Sequence, residues 1–113
     1  MNRLWYYTAL LNHIFFILGE GMDIRKLKHI VLLKKVKLAK LKMQNLIPAE
    51  SANTLDLILD TIFMNYNEEL LLSKLYDYLR ELIVLLDTKQ IDENTFGELF
   101  IHEHELNEIL QGS

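Results

Sequence analysis

Between Ile24 and Ile47 the chain carries Arg25, Lys26, Lys28, Lys34, Lys35, Lys37, Lys40 and Lys42, eight of its twelve basic residues, and no acid. Leu27, Ile30, Val31, Leu32, Leu33, Val36, Leu38, Leu41 and Met43 lie between these charges. Lys, Leu, Ala, Met and Gln are strong helix formers, and neither Gly nor Pro interrupts the run. Ile24–Leu46 therefore reads as one helix of about 35 Å. Its apolar residues do not form a single stripe. Ile24, Leu27, Val31, Leu38 and Leu41 gather on one side, while Leu32, Val36, Ala39, Met43 and Leu46 gather on nearly the opposite side. A helix with two apolar stripes is expected to be packed on both, so this element should stand at the centre of whatever forms around it. The alternation from Lys35 to Leu38 and from Lys40 to Met43 is also strand-like. The flanks lack turn residues, so strand remains the minor alternative.

The charge around this stretch is just as uneven. Residues 1–23 sum to −1, residues 24–47 to +8 and residues 48–113 to −11, giving −4 for the chain. A protein built to hold a long polyanion is usually basic overall. Here the acidic remainder would repel one, and the nearest counter-charge for the lysines lies in the same chain.

With 113 residues, half of them hydrophobic, the chain suits one domain spanning 1–113 that buries a core without staples. Four Gly and one Pro are too few for a loop-rich all-β protein. The absence of Cys excludes a disulfide framework, a Cys-ligated zinc site and a thiol nucleophile, and fits a cytoplasmic setting.

Leu4–Leu18 is apolar on all sides, interrupted only by Thr8, Asn12 and His13. Such a helix is buried in protein or in lipid. At about 22 Å it is short for a bilayer core of about 30 Å. The readings are a helix docked on the bundle, an interfacial membrane anchor, and a signal peptide, whose cleavage motif Gly19-Glu20-Gly21 does not supply. Gly19-Glu20-Gly21 just before Met22 also resembles a ribosome-binding sequence read in frame. Residues 1–21 are then either a separate apolar extension or an upstream-start artefact.

Further along, Asp23 reads as an N-cap, and Asn45 to Pro48 closes the cationic element. Pro48 suits a first helical position, with Glu50 near the positive helix end. Ala52, Leu55, Ile58, Leu59, Ile62, Phe63 and Tyr66 recur at helical spacing over 49–65. Asn67 caps a helix over 68–87 whose face is Leu71, Leu75, Tyr78, Leu82, Leu85 and Leu86, widened by Leu72, Leu79 and Ile83. Asp92 caps a last helix over 92–110, with Ile91 able to staple onto Phe96. The fold class that follows is all-α: a compact bundle of four to five helices, approximately 4–18, 24–46, 49–65, 68–87 and 92–110, with mostly antiparallel neighbours.

Residues for chemistry are few. In the run His102 to Glu105, helical spacing pairs His102 with Glu98 and His104 with Glu108. A carboxylate and an imidazole at i and i+4 can share a divalent metal, but each pair gives two ligands and the histidines diverge. Neither the zincin motif nor a paired Glu-x-x-His signature is present. An exposed acidic helix face is the preferred reading, with no metal and no cofactor. There is no phosphate loop, nucleophile elbow or calcium loop, so no catalytic residue is assigned.

The eight cations from Arg25 to Lys42 are the candidate interaction residues. They can meet acidic helices of this chain or of a partner, an anionic membrane surface, or nucleic acid. The leading expectation is a small non-catalytic helical protein that binds another protein or itself, a bacterial, phage or plasmid accessory. A membrane-associated bundle anchored by the N-terminal segment is the alternative, and a small nucleic-acid-binding regulator comes third. In length and helix layout the part from Met22 onward resembles the small bacteriocin-immunity proteins. Lys74-Leu75-Tyr76-Asp77-Tyr78-Leu79, followed by the Ile91–Leu110 helix, carries that likeness. The resemblance implies the membrane-associated alternative.

Overall fold

The computed structural model describes Trp5, residues 7–9, Leu11, Asn12 and residues 21–111. The remainder of the expected helix over 4–18, with His13, lies outside the described residues, as do Gly19, Glu20 and the last two residues. Trp5, residues 7–9, Leu11 and Asn12 are helical. Five helices follow: α1 (Ile24–Met43), α2 (Ala49–Met64), α3 (Glu68–Asp87), α4 (Glu93–Leu99) and α5 (Glu103–Gln111). No strand occurs among the described residues, so the all-α bundle holds and the strand alternative for the lysine stretch does not.

The starts of three helices follow from local side chains. The Asp23 carboxylate accepts the Lys26 amide at 3.1 Å, Asn67 accepts that of Leu70 at 3.0 Å, and Asp92 accepts that of Thr95 at 2.7 Å. Each satisfies an amide that the first turn leaves without an intrahelical partner. Pro48 stands one place earlier than its expected first helical position: it is the N-cap of α2, with φ −56° and ψ 135°. Two helix ends share another device. Asn45 and Lys89 take left-handed φ angles of 58° and 61°. The next amides, of Leu46 and Gln90, then reach back to Leu41 O at 3.0 Å and Leu85 O at 2.9 Å. Those are the 6→1 bonds of a Schellman motif.

The core is one cluster drawn from every helix. α1 supplies Leu27, Ile30, Val31, Leu38 and Leu41, α2 supplies Ala52, Leu55, Leu59 and Ile62, and α3 supplies Leu71, Leu75, Tyr78, Leu79, Leu82, Ile83 and Leu85. α1 packs against α2, α4 and α5, while α3 packs against α2 and α4. The N-terminal residues join the same core. Leu11 is only 1% exposed, and the Tyr7 ring lies 5.1 Å from Phe96 and 5.7 Å from Phe100.

Two expectations about whole elements differ from the structure. The helix over 92–110 is two helices, because Phe100 to His102 leave the helical path. Leu99, Phe100 and Ile101 are all buried. Three consecutive residues of an unbroken helix fan over about 200°, so one of them would face outward. Leaving the helix buries all three. The helix then restarts with half of a capping box, in which the His102 amide donates to Glu105 Oε1 at 3.0 Å. The second difference concerns α1, which is packed on one side only.

Candidate interaction face

The inner side of α1 is held by its lysines as well as its leucines. Lys28, Lys35 and Lys42 recur every seventh residue and so lie in one row along the helix. That row runs antiparallel beside α2. Lys42 Nζ donates to Asn53 Oδ1 at 2.6 Å, near the start of α2. Lys35 bonds Asp56 at 3.0 Å and also Asp60. Lys28 donates to the carbonyls of Ile62, Phe63 and Asn65 at 2.9, 2.5 and 2.5 Å, at the end of α2. These carbonyls lie where a helix leaves acceptors unpaired and its dipole is negative. α2 has no basic residue in its own last turn, so α1 supplies the cation. Tyr66 and Phe63 complete the surround, with the Lys28 ammonium 4.3 Å from the Tyr66 ring centre. Phe63 and Tyr66, expected on the apolar face of α2, are exposed instead. Burial lowers the Lys28 pKa from its ordinary value. Burial also lowers that of Lys35, but hydrogen bonds and charge from Asp60 and Asp56 outweigh it and the net shift is upward.

On the other flank Lys34 is buried, 6% exposed, with its ammonium 3.2 Å from Glu105 Oε2 and 3.5 Å from the Glu98 carbonyl. Glu105 therefore uses one oxygen to start α5 and the other to hold α1. Nearby, the Tyr78 hydroxyl donates to the Leu99 carbonyl at 2.6 Å, tying the end of α4 to α3. Lys26 meets Glu108 at 3.8 Å across a half-exposed pair.

Five of the eight candidate cations thus have partners within the chain: Lys26, Lys28, Lys34, Lys35 and Lys42. Arg25, Lys37 and Lys40 are exposed and make no ion pair with the described residues. Lys37 and Lys40 line a cleft of about 230 Å³ with Leu41, Gln44 and Glu98, and no ion pair closes it.

The expectation that both apolar stripes of α1 are packed is corrected here. Leu32, Val36, Ala39, Met43 and Leu46 all face outward, Val36 being 63% and Met43 84% exposed. The core fills the opposite side, and α2, α4 and α5 all approach from there. Leu33 joins the exposed stripe, and α2 adds Leu57 and Met64 at 67% and 76% exposed. The α1–α2 register sets Leu57 level with Val36. Sequence reading missed Leu33, Leu57 and Met64 as surface residues. For Leu57 and Met64 the signal was present, since they fall off the Ala52–Leu55–Leu59–Ile62 face.

The candidate metal pair Glu98 and His102 is not brought together. The break at Phe100–His102 puts Glu98 and His102 on different sides of a helix end. The His102 ring N–H donates to the Gly97 carbonyl at 2.7 Å, and its ring stacks on His104 at 6.2 Å. The Glu98 carbonyl, not its carboxylate, meets Lys34. Among the described residues no group of three or more His, Cys, Asp or Glu is arranged to hold an ion. Nor is any described helix long and apolar enough to cross a membrane. No family model, curated protein or solved structure matches the chain.

Proposed function

We propose that this chain is a small non-catalytic helical protein that acts by binding another protein through the outer face of α1. The observation that carries the reading is the row of apolar side chains left open there: Leu32, Val36, Ala39 and Met43, on a helix whose inner side is firmly packed. Soluble domains scatter single exposed apolar residues freely, but contiguous apolar patches mark contact surfaces. Most of the lysines beside the row already have partners in the chain. That supports reading the cationic stretch as an element of the fold with one face to spare, not as a polyanion tract. The docking of Tyr7 and Leu11 on the bundle favours an interior role for the N-terminal segment over an anchor.

The test is partner retention from extracts of the native host by full-length protein and by Val36→Glu. Val36 is largely exposed, so the substitution leaves the fold intact, as a melting curve would verify. Discrete proteins should be retained by the native chain and lost by the variant. Equal retention by both, or none by either, ends the proposal.

A further inference from the structure

The outer row of α1 has the spacing of a coiled-coil seam. His29, Leu32, Val36, Ala39 and Met43 are separated by three, four, three and four residues, and all are exposed. Assigning them in turn to positions a, d, a, d and a of a heptad puts Lys28, Lys35 and Lys42 at every g position. The e positions are Lys26, Leu33 and Lys40. Both flanks of the seam are therefore basic. They differ in what remains unspent. On the g flank, Lys35 is balanced by Asp56 and Asp60, Lys28 is bound by carbonyls and Lys42 by Asn53. On the e flank, Lys40 has no ion pair with the described residues, Lys37 stands beyond it, and the two border the open cleft shared with Glu98.

We propose that this face pairs with an acidic amphipathic helix of another protein, forming a short heterotypic two-helix seam. The inference rests on the protein-binding reading above and names the partner's chemistry. Apolar residues at the partner's a and d positions would cover Leu32, Val36, Ala39 and Met43. Carboxylates on the flank facing Lys40 and Lys37 would supply the missing counter-charge. Ala39 at the middle of the row lets a second helix approach closely. A second copy of this chain is a poor occupant, since pairing like faces would set lysine against lysine at the e and g positions. An anionic lipid surface is disfavoured because Val36 and Ala39 offer little apolar bulk where interfacial helices carry Leu, Phe or Trp. The chain's net charge of −4 also opposes such a surface. The seam covers only about two heptads, so the contact belongs with weak, exchangeable ones.

The test uses full-length protein and two synthetic three-heptad helices with Ile at a and Leu at d. One carries Glu at every e and g position, the other Lys. Fluorescence anisotropy should give binding of the Glu helix at about micromolar concentration and none of the Lys helix. Val36→Glu should weaken binding about ten-fold or more, as expected for the central residue of a seam. Lys40→Glu should weaken it about three-fold, and about 1 M salt should do the same to the native protein. Equal binding of both helices, no binding of either, or indifference to Val36→Glu overturns the inference. So does a photo-crosslink from position 36 to residues 13–20 or to a second copy, or sedimentation with phosphatidylglycerol vesicles that Val36→Glu abolishes. If the Glu helix fails while extract proteins are still lost on Val36→Glu, the partner chemistry is wrong and the protein-binding reading stands. If both fail, so does that reading.

Discussion

At the scale of single residues, the apolar core is pinned by a few polar groups placed deep. Among the described residues Tyr78 is the largest fully buried side chain, and its hydroxyl satisfies the Leu99 carbonyl where α4 ends. Burial, and secondarily the charge of Glu105, pushes the phenol well above its ordinary range. The folded state therefore favours the neutral phenol, while an unfolded tyrosine ionises near pH 10. Its contribution is complete below about pH 10 and is lost progressively above it. Replacing Tyr78 with Phe leaves a buried carbonyl without its donor and should cost about 1–2 kcal/mol at pH 7. The deficit should shrink above about pH 10, because the variant has no phenol left to ionise there. Urea unfolding of both proteins at several pH values reads this directly. A deficit that grows with alkalinity would contradict the assignment. None of this was legible in the sequence, where Tyr78 reads as one more residue of an apolar stripe. The Lys34–Glu105 pair was equally hidden, since a buried lysine looks like its exposed neighbours until the tertiary partner is in place.

Among the elements, legibility follows how local the cause is. Asp23, Asn67 and Asp92 were readable as caps because the amide each one binds lies three residues away. The break between α4 and α5 was not, because no Gly or Pro marks it. Its cause is the need to bury Leu99, Phe100 and Ile101 together against other helices. The two apolar stripes of α1 were visible, but periodicity tells which residues share a side and not whether anything covers that side. The lysine row at 28, 35 and 42 could be seen in the same way, while its carbonyl and carboxylate partners on α2 could not. Lys89 is the clearest unread position. It takes the left-handed conformation that glycine fills in most Schellman ends, and lysine has no short polar side chain to ease it. Lys89→Gly should therefore stabilise the protein by about 0.5–1 kcal/mol, the steric relief exceeding the added freedom of the unfolded chain. A chemical-denaturation midpoint that falls on this substitution would show that the Lys89 side chain contributes more than its backbone costs.

For the whole molecule, the question is what closes the bundle on the side of Phe96 and Phe100. These rings stack at 4.7 Å, and the only described aromatic side chain from before residue 21 near them is Tyr7. Leu11 is nearly inaccessible. The link into α1 is also fixed, because Met22 is buried and the Asp23 amide donates to the Ile109 carbonyl of α5 at 2.8 Å. A chain starting at Met22 would put a charged amine on a buried residue and uncover Phe96 and Phe100. Burying a leucine and part of a tyrosine is worth about 3–5 kcal/mol, set against total stabilities of about 5–15 kcal/mol for domains of this kind. Residues 22–113 should therefore unfold at markedly lower urea than residues 1–113 and bind a hydrophobic dye that the longer chain excludes. Leu11→Ala in the full chain should reproduce about 2–3 kcal/mol of that loss without altering the terminus. An anchor would behave differently: the two lengths would melt alike, and only the longer would pellet with membranes. Equal stability of the two lengths, with Leu11→Ala silent, would detach the N-terminal segment from the fold and return it to the membrane reading.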